Sequence, residues 1–451
     1  MHFTRCQARY LARLTGLVLA GCVPSGAREG VHPVELLLVA RGASVAQGSL
    51  PDSAPVSRAL PTGPMALDTA VRIALLHSPH VRVVLSDVGL AQADLWQASR
   101  IPNPVLDLIR GFPLSGGVGI SNVGIGYSIV AALQTPLRRK IAAGALVAAE
   151  QQVADAVYGT MIDVQRAYRD VQYQQQNVEL QRTVTAAMAA STIVAKALRE
   201  AGNVPELTLV SEQAMSAQSE AELAEAETDL ATARAELGRR LGATVGDTLW
   251  TIAGRLSEPQ PRVLTLVRID SMALERRLDV SAARDRARAA ATALNLDSRF
   301  RLLQDGTLGA FWERDPDGRY AGPTVSVPLP LFNGGGASVA KARAVLQQRT
   351  AQYDALVVDV HAEVRAAMGK LSGAERRATQ MRMVVLPARR RVLQETQLQV
   401  NAMTLPVFAL LQAKQSEIEA GRMYLRTLRD YWMAHAELER ASGGVLPTGN
   451  M

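Results

Sequence analysis

The chain has 451 residues and is 48% hydrophobic but only 4% aromatic, so aliphatic side chains supply most of its apolar surface. Small apolar residues let helices approach closely, which suits long helical hairpins better than a thick globular core. The net charge of +7 is spread along the chain with no basic cluster among aromatic residues, so a nucleic-acid-binding surface is not expected. The only cysteines, Cys6 and Cys22, exclude a disulfide framework from the rest of the chain.

The first 21 residues have the pattern of an export signal, in which three arginines precede an apolar run at 14–20. Leu19-Ala20-Gly21-Cys22 then resembles the bacterial lipoprotein box, which predicts cleavage before Cys22 and acylation of that cysteine. The alternative is an ordinary signal peptide in which this cysteine is incidental. Residues 22–65, rich in Gly, Pro, Ser and Ala, are expected to form the lipidated N-terminus and an extended linker.

The first structural unit is predicted over 66–242. Apolar residues alternate with others over 123–133, which is typical of a strand with one face in an apolar environment. Helical spacing predominates elsewhere, and a Gly and a Pro interrupt it at 201–205. The predicted elements begin with a helix over 69–77 and, after the interruption at Ser78-Pro79, a second helix to about 99. Strands over 105–112 and 123–133 and helices over 141–200 and 207–241 follow.

A connector at 243–265, without a recognisable motif, leads to a second unit over 266–443 and a C-terminal tail over 444–451. Asp315-Pro316-Asp317-Gly318 is a strong turn signal between two strands. In the second of these strands, Val325, Val327, Leu329 and Leu331 are expected on one face and Thr324 and Ser326 on the other. The other predicted elements are a helix over 270–299, a strand over 302–312, helices over 337–400 and 407–442, and a tip at 401–406.

The two units are copies of each other. Ala233-Arg234-Ala235-Glu236-Leu237-Gly238-Arg239 closes the first, and Ala434-His435-Ala436-Glu437-Leu438-Glu439-Arg440 closes the second. Apolar residues recur every seven positions in both, at 157, 164, 171 and 178 and again about 200 residues later. The chain is therefore interpreted as a tandem duplication of a long helical hairpin with strands.

Catalytic chemistry finds little support in the sequence. The six histidines are scattered, and no set of His, Cys and carboxylate residues has the spacing of a metal site. His77 and His80 are the only close pair, and Pro79 between them breaks helical register. No catalytic residues, metal or cofactor are predicted, and the chain is not expected to be an enzyme.

The strands point to a membrane. Eleven residues, as at 123–133, is the length that a tilted membrane-spanning strand requires. Spanning strands must close into a barrel, and four strands from one chain cannot close because about eight is the smallest number known. If the strands span, several copies of the chain must share one barrel, with the helices continuing it as a second tube.

Several short motifs, in this order and spacing, resemble the TolC-type outer-membrane efflux proteins, specifically their lipid-anchored branch. The resemblance covers about 67–443. It is carried by Leu67-Asp68-Thr69-Ala70-Val71 with Ser78-Pro79, by Asn103-Pro104-Val105-Leu106, by Arg277-Leu278-Asp279-Val280, by Pro330-Leu331-Phe332 with Gly334-Gly335, and by the two closings.

The resemblance implies a fold that is mainly α with a small β part. Tandem-duplicated helical hairpins would form a periplasmic α-barrel, and four strands per chain would contribute to a trimeric, twelve-stranded transmembrane β-barrel in outer-membrane lipid. It also implies an inner-membrane pump as partner and a periplasmic adaptor that contacts the hairpin tips. Those tip residues are Gly202, Asn203, Val204, Pro205, Asn401, Ala402, Met403, Thr404, Leu405 and Pro406.

One feature departs from the family. Its members often close the periplasmic entrance with carboxylates just past the second tip, whereas the matching positions here are Ala409 and Gln412, with Thr208 and Ser211 in the first copy. Glu206 and Glu212 are the nearest acids. The entrance is therefore expected to be held by helix packing among neutral groups.

The resulting hypothesis is a passive exit duct, the outer-membrane channel of a tripartite efflux or type I secretion system, lipid-anchored and extending into the periplasm. The alternative is a lipid-anchored periplasmic helical scaffold that forms no channel. The sequence does not identify the cargo, because metal ions, drugs and polypeptides use similar ducts and the pump selects among them.

Overall fold

The computed structural model describes residues 31–43, 50, 63–112, 114, 119–243, 250–259, 265–303 and 305–446. The predicted signal sequence and the predicted lipid attachment site, Cys22, lie outside these residues. None of the helices in the described part of the chain combines the length and apolar character needed to cross a membrane.

The fold is mainly α with a small β part, as expected, and each repeat contains two short helices, two strands and a long helical hairpin. The elements up to the end of the first repeat are α1 Val31–Val39, β1 Gly63–Met65, α2 Leu67–His77, α3 Pro79–Ser99, β2 Val105–Gly111, β3 Ile120–Ser128, α4 Ile129–Glu200 and α5 Glu206–Leu241. Pro79 begins α3, where its missing N–H costs nothing because no helical partner exists there.

The remaining elements repeat this order. They are β4 Trp250–Ile252, α6 Leu266–Arg276, α7 Leu278–Arg299, β5 Thr307–Arg314, β6 Arg319–Ser326, α8 Gly336–Gln380, a π-helical turn at Met381–Val385, α9 Leu386–Asn401 and α10 Val407–Ser442. The bounds of α10 agree with the predicted 407–442.

The seven-residue repeat forms the seam of the core. Val157, Val164, Val171 and Val178 on α4 are all buried. The equivalent residues of α8 continue the pattern, with Val364, Leu371 and Ala378 buried and Val357 half-buried. One apolar cluster is built mainly from the first repeat and another from the second, so each copy has its own core.

Two junctions between strands and helices differ from the prediction. β3 ends at Ser128, not at 133, because the Ser128 hydroxyl accepts a hydrogen bond from the Ala131 N–H and caps a helix that begins at once. α4 therefore starts twelve residues before the predicted 141 and includes Pro136. β6 ends at Ser326, and the two prolines that follow, Pro328 and Pro330, disfavour its continuation as a regular strand.

The prediction of an extended linker over 22–65 is also wrong in part. Residues Val31–Val39 of that segment form α1, in which Val34 and Leu38, one helical turn apart, are fully buried. The segment is tied to the second repeat through Arg41, whose Nε donates to the Arg276 carbonyl at 2.8 Å and whose own carbonyl accepts from the Val445 N–H at 3.1 Å.

The segment that precedes the first repeat pairs with the connector that follows it. β1 lies parallel to β4, so the segment before the first repeat and the segment after it form a two-stranded sheet. The Tyr168 hydroxyl lies 2.9 Å from the carbonyl oxygens of both Met65 and Ala253. Arg234 donates to the Trp250 carbonyl at 2.7 Å and lies over the Trp250 ring. The connector at 243–265, which carried no sequence motif, thus fastens α4 and α5 together.

The π-helical turn interrupts what was predicted as one helix over 337–400. Pro387 lies just beyond it and cannot donate a hydrogen bond to the carbonyl four residues back, and its ring crowds that carbonyl. A local widening of the helix accommodates both effects.

The returning helix of each repeat ends in a left-handed glycine that touches backbone. Gly242 has φ +76°, and a Cβ there would lie 2.8 Å from the His77 carbonyl oxygen. Gly443 has φ +72°, and a Cβ there would lie 2.8 Å from the Arg277 nitrogen. Both contacts fall at the junction between the two short helices of the repeat, so the duplication preserves the contact itself.

We expect Gly242→Ala and Gly443→Ala each to lower the free energy of unfolding by about 1–3 kcal/mol, because left-handed strain and backbone overlap add. Thermal or denaturant unfolding measures the change. Gly369→Ala is the control, since Gly369 lies within α8 with open space around it and should stabilise by about 0.5–1 kcal/mol. Equal effects at all three positions would contradict the close contact.

A partly buried carboxyl lies between the repeats. Burial, with a smaller contribution from the nearby Asp279 carboxylate, raises the pKa of Asp155 to about 6, even though Arg277, Arg440 and Arg41 lower it. The folded protein therefore binds this proton more tightly than the unfolded chain, whose Asp has a pKa near 3.8. Stability from the protonated carboxyl is present below pH 3.8 and is lost as the pH rises through about 6.

Asp155→Asn should therefore raise the free energy of unfolding at pH 7.5 by about 1–3 kcal/mol and change it little at pH 4. Unfolding curves at the two pH values test this. Asp163→Asn is the matched control on the same helix, because Asp163 pairs with Arg240 at 2.8 Å. Loss of this ion pair should leave the free energy of unfolding unchanged or lower it slightly. A destabilised Asp155→Asn protein at pH 7.5 would show that the charged form is the favoured one.

Candidate functional site: the four-stranded sheet and the hairpin tips

Four strands, two from each repeat, form one sheet in the order β2-β3-β5-β6, and all neighbours are antiparallel. The repeats meet at its centre, where β3 pairs with β5. Side chains alternate between faces along a strand, and directly opposed residues share a face. The register therefore gives the composition of both faces.

One side of the sheet, called the apolar face below, carries three successive rows of apolar residues. Four of its side chains are more than half exposed in the single chain, which indicates contact with lipid or another chain. The apolar face consists of Leu106, Leu108, Val123, Ile125, Tyr127, Leu308, Ala310, Trp312, Ala321, Pro323 and Val325.

The opposite face is mixed, with glycines and polar residues among a few apolar ones. Asn122 donates a hydrogen bond to the Glu313 carboxylate across β3 and β5 at 3.2 Å. Thr324 and Ser326 lie on this face and Val325 on the other, as the alternation predicted. Val327, Leu329 and Leu331 were assigned to the same strand as Val325, but they lie beyond its end.

Both edges of the sheet are open. Among the described residues, β2 and β6 each pair with a neighbour on one side only. Unpaired edges present rows of free N–H and C=O groups that readily pair with another chain. The helices leave the sheet from one end only, since α4 follows β3 directly.

The two predicted tips have the same backbone form. At the first, the N–H of Asn203 bonds to the Leu198 carbonyl at 2.8 Å and Gly202 is left-handed. At the second, the N–H of Thr404 bonds to the Gln399 carbonyl at 3.0 Å, and Met403 occupies the left-handed position with φ 56°. A non-glycine residue there is strained, and its side chain is 94% exposed.

The remaining tip residues complete the same turn in each copy. Pro205 and Pro406 precede α5 and α10, and their carbonyls accept from the N–H groups of Thr208 and Ala409 at 3.0 Å. Val204 and Leu405 are half-buried, whereas Asn401 and Ala402 are exposed. The tips are therefore hydrogen-bonded turns that present polar and apolar side chains outward.

The two acids near the predicted gate are engaged within the first hairpin. Glu206 pairs with Arg199 at 2.9 Å. Glu212 is buried and accepts a hydrogen bond from the Ser191 hydroxyl. Both partners lie on α4, so both acids join the arms of their own hairpin.

The structure brings three of the six predicted gate residues together. Glu212, Ala409 and Gln412 line a cavity of about 430 Å³ between α5 and α10. Thr208 is half-buried and Ser211 and Glu206 are exposed, and none of these three lines the cavity. α10 packs against α4 of the first repeat, and α5 and α10 face each other near the tips across this cavity.

A larger cavity, further from the tips, was not predicted. It measures about 760 Å³ and is lined by charged residues of both returning helices and by the π-helical turn. The Arg422 guanidinium there lies 3.3 Å from Glu222 on α5 and 3.2 Å from Glu419 on its own helix. Pro387 was the one sequence signal for the π-helical turn, and no signal pointed to the cross-repeat ion pair.

Metal binding has no support in the described residues, where no group of three or more His, Cys, Asp or Glu side chains is arranged to hold an ion. His77, at the end of α2, and His80, at the start of α3, are separated by the change of direction at Ser78.

Comparisons with protein-family models and with curated proteins find no match. Comparison with solved structures finds the outer membrane protein VceC from Vibrio cholerae, with 19% identity and a TM-score of 0.67, covering 84% of this chain and 96% of VceC. The CmeC outer membrane channel of Campylobacter jejuni has 13% identity and a TM-score of 0.72, covering 84% and 85%. The MtrE channel of Neisseria gonorrhoeae in its open state has 18% identity and a TM-score of 0.69, covering 84% and 89%. This chain therefore has the fold of the TolC-type outer-membrane efflux proteins, as its motifs predicted.

Proposed function

We propose that the chain is the outer-membrane channel of a tripartite efflux or type I secretion system, a passive duct that works as a homotrimer. The observation that carries the proposal is the sheet, which has an exposed apolar face and two unpaired edges at one end of long helical hairpins. Lipid offers no water to pair with a free edge, so such a sheet is stable there only when other copies close it into a barrel.

The strand directions allow this closure. The four strands alternate in direction, so β6 of one copy and β2 of the next would also run antiparallel. One chain supplies too few strands, because the smallest known barrels have about eight. Three copies supply twelve, with the apolar face outward in the outer membrane and the opposite, mixed face toward the lumen.

The fold supports the same assignment, because the similar structures are described as outer-membrane channels, and one description concerns transmembrane channel formation by CusC. CusC has 15% identity and a TM-score of 0.70. The helical hairpins would then extend into the periplasm as an α-barrel. Cys22 as a lipid anchor stays a prediction, which the mass of the mature N-terminus would test.

The tips are the proposed contact for the periplasmic adaptor, which in turn would join the duct to an inner-membrane pump. Their matching backbone forms would offer the adaptor equivalent surfaces on the two hairpins. Met403 supports this role, because an exposed, left-handed methionine costs stability and lacks a packing reason. No cofactor is required for a passive duct.

Closure of the entrance is proposed to depend on helix packing near Ala409 and Gln412. Glu206 and Glu212 are unsuited to a carboxylate gate, since each is bound within its own hairpin. Neutral hydrogen bonds contribute only about 0.5–1.5 kcal/mol each, so packing must supply most of the closed-state preference. An adaptor bound to the tips would shift the equilibrium between two arrangements of the packed helices.

The sheet assignment predicts a difference between its faces. Ile125→Arg, in the middle of the apolar face, should cost roughly 2–4 kcal/mol of insertion free energy, because the charge would face hydrocarbon. Membrane-inserted trimer and ion conductance in planar bilayers should fall together. Asn122→Arg is the control on the same strand, where the new charge would face the lumen beside Glu313 and trimer yield should be near normal.

Equal loss with both variants would contradict the face assignment. A wild-type protein that forms no conducting species in bilayers, and that stays soluble without detergent once its lipid anchor is removed, would instead support the periplasmic scaffold.

The gate proposal predicts a shallow pH response. Glu206→Gln and Glu212→Gln should each leave single-channel conductance within about twofold of wild type between pH 4 and pH 8, because neither carboxylate holds the entrance. Conductance across this range in planar bilayers measures it, with Glu227→Gln as a control for an exposed ion pair on the same helix. A steep acid-dependent opening that either change abolishes would show that acids hold the entrance shut.

A further inference from the structure

The apolar face ends in a row of arginines. Directly opposed residues in the last row before the β5–β6 turn are, in strand order, Arg110, Ser121, Arg314 and Arg319. All three arginines are exposed, and they share the face of Trp312 and Ala321 in the row beneath. We call these three residues the arginine row.

Within the described part of the chain, no carboxylate pairs with the arginine row. Among the described residues no ion pair involves Arg110, Arg314 or Arg319. Glu313 points to the opposite face and accepts from Asn122, and the Asp315 carboxylate accepts from the N–H groups of Asp317 and Gly318 to form the turn. Arg314 and Arg319 are directly opposed, and like charges in that position destabilise a sheet unless an anion lies between them.

The position of the arginine row on the sheet indicates which kind of anion it would meet. The helices leave the sheet at the opposite end, after Ser128, so the arginine row lies at the end farthest from them. If the helices extend into the periplasm, as the proposed function requires, the row lies at the level of the outer-leaflet headgroups. Guanidinium groups bind phosphate in a bidentate manner, and the apolar rows beneath them suit acyl chains.

We propose that the arginine row binds phosphate groups on the headgroup of an outer-leaflet glycolipid, with the acyl chains of that lipid lying on the apolar face. Neighbouring strands are about 4.8 Å apart, so Arg110 lies roughly 10 Å from Arg314 and the row can engage two phosphates on one headgroup. Retention of this lipid stabilises the inserted sheet at its outer rim. The inference rests on the proposed function for the orientation of the chain.

The test uses the full-length protein purified in detergent and two probes, lipid A with both phosphates and the same lipid after dephosphorylation. Titration followed by native mass spectrometry should show binding about tenfold tighter for the phosphorylated lipid. A triple variant, Arg110→Gln with Arg314→Gln and Arg319→Gln, should lose this preference. Arg314→Gln alone, the milder change, should reduce it about threefold. Inorganic phosphate at equal concentration should not displace the lipid.

The control has the same loss of charge on the helices, in Arg343→Gln with Arg376→Gln and Arg391→Gln, all exposed residues. It should keep the full preference for phosphorylated lipid A. A triple variant of the row that keeps the preference, or wild-type protein without one, would overturn the proposal. Displacement by inorganic phosphate would also overturn it, because the site would then recognise a free anion. Failure of the proposed function is a separate result, namely the absence of conductance by wild-type protein in bilayers.

Discussion

The close contact between a left-handed glycine and the backbone of its own repeat fixes how each returning helix meets the two short helices at the base of that repeat. Gly242 reaches His77 and Gly443 reaches Arg277 at distances that leave no room for a Cβ. Each contact fixes where a returning helix of 36 residues meets the base of its repeat. Such a helix is roughly 54 Å long, so a change of about 5° at the base would move the tip by about 5 Å. The positions of both tips therefore depend on two residues without side chains.

The helical part of the fold was largely predictable because its signals are local. Three local patterns identified the long helices and both tips. They are apolar residues spaced seven apart, a glycine with a proline soon after it, and the repeated sequence at the end of each unit. The junctions were less predictable, because alternation at Ile129, Ala131 and Leu133 fits a strand as well as a helix. The cap at Ser128 decides between them, and one serine hydroxyl is a weak signal beside an eleven-residue pattern.

The sheet was predicted as four strands with the correct faces for Thr324 and Val325, but its order depends on pairing between distant residues. β3 meets β5 across nearly 200 residues of chain, and no local pattern specifies that register. The arginine row was invisible for the same reason. Arg110, Arg314 and Arg319 are unremarkable in the sequence and become one feature only when the three strands align.

The two copies are alike at both ends of the helical hairpin and differ in the helices between those ends. Both tips and both glycine contacts repeat, whereas the first outgoing arm is one unbroken helix with buried residues as far as Ala195. The second arm is interrupted by the π-helical turn before Pro387, and α9 beyond it has no buried residue in the single chain. Local stability follows buried contacts, and the end of the second arm packs mainly on α10 within the chain. Tips with the same backbone form are thus carried by two arms that differ in how much of their surface is buried within the chain.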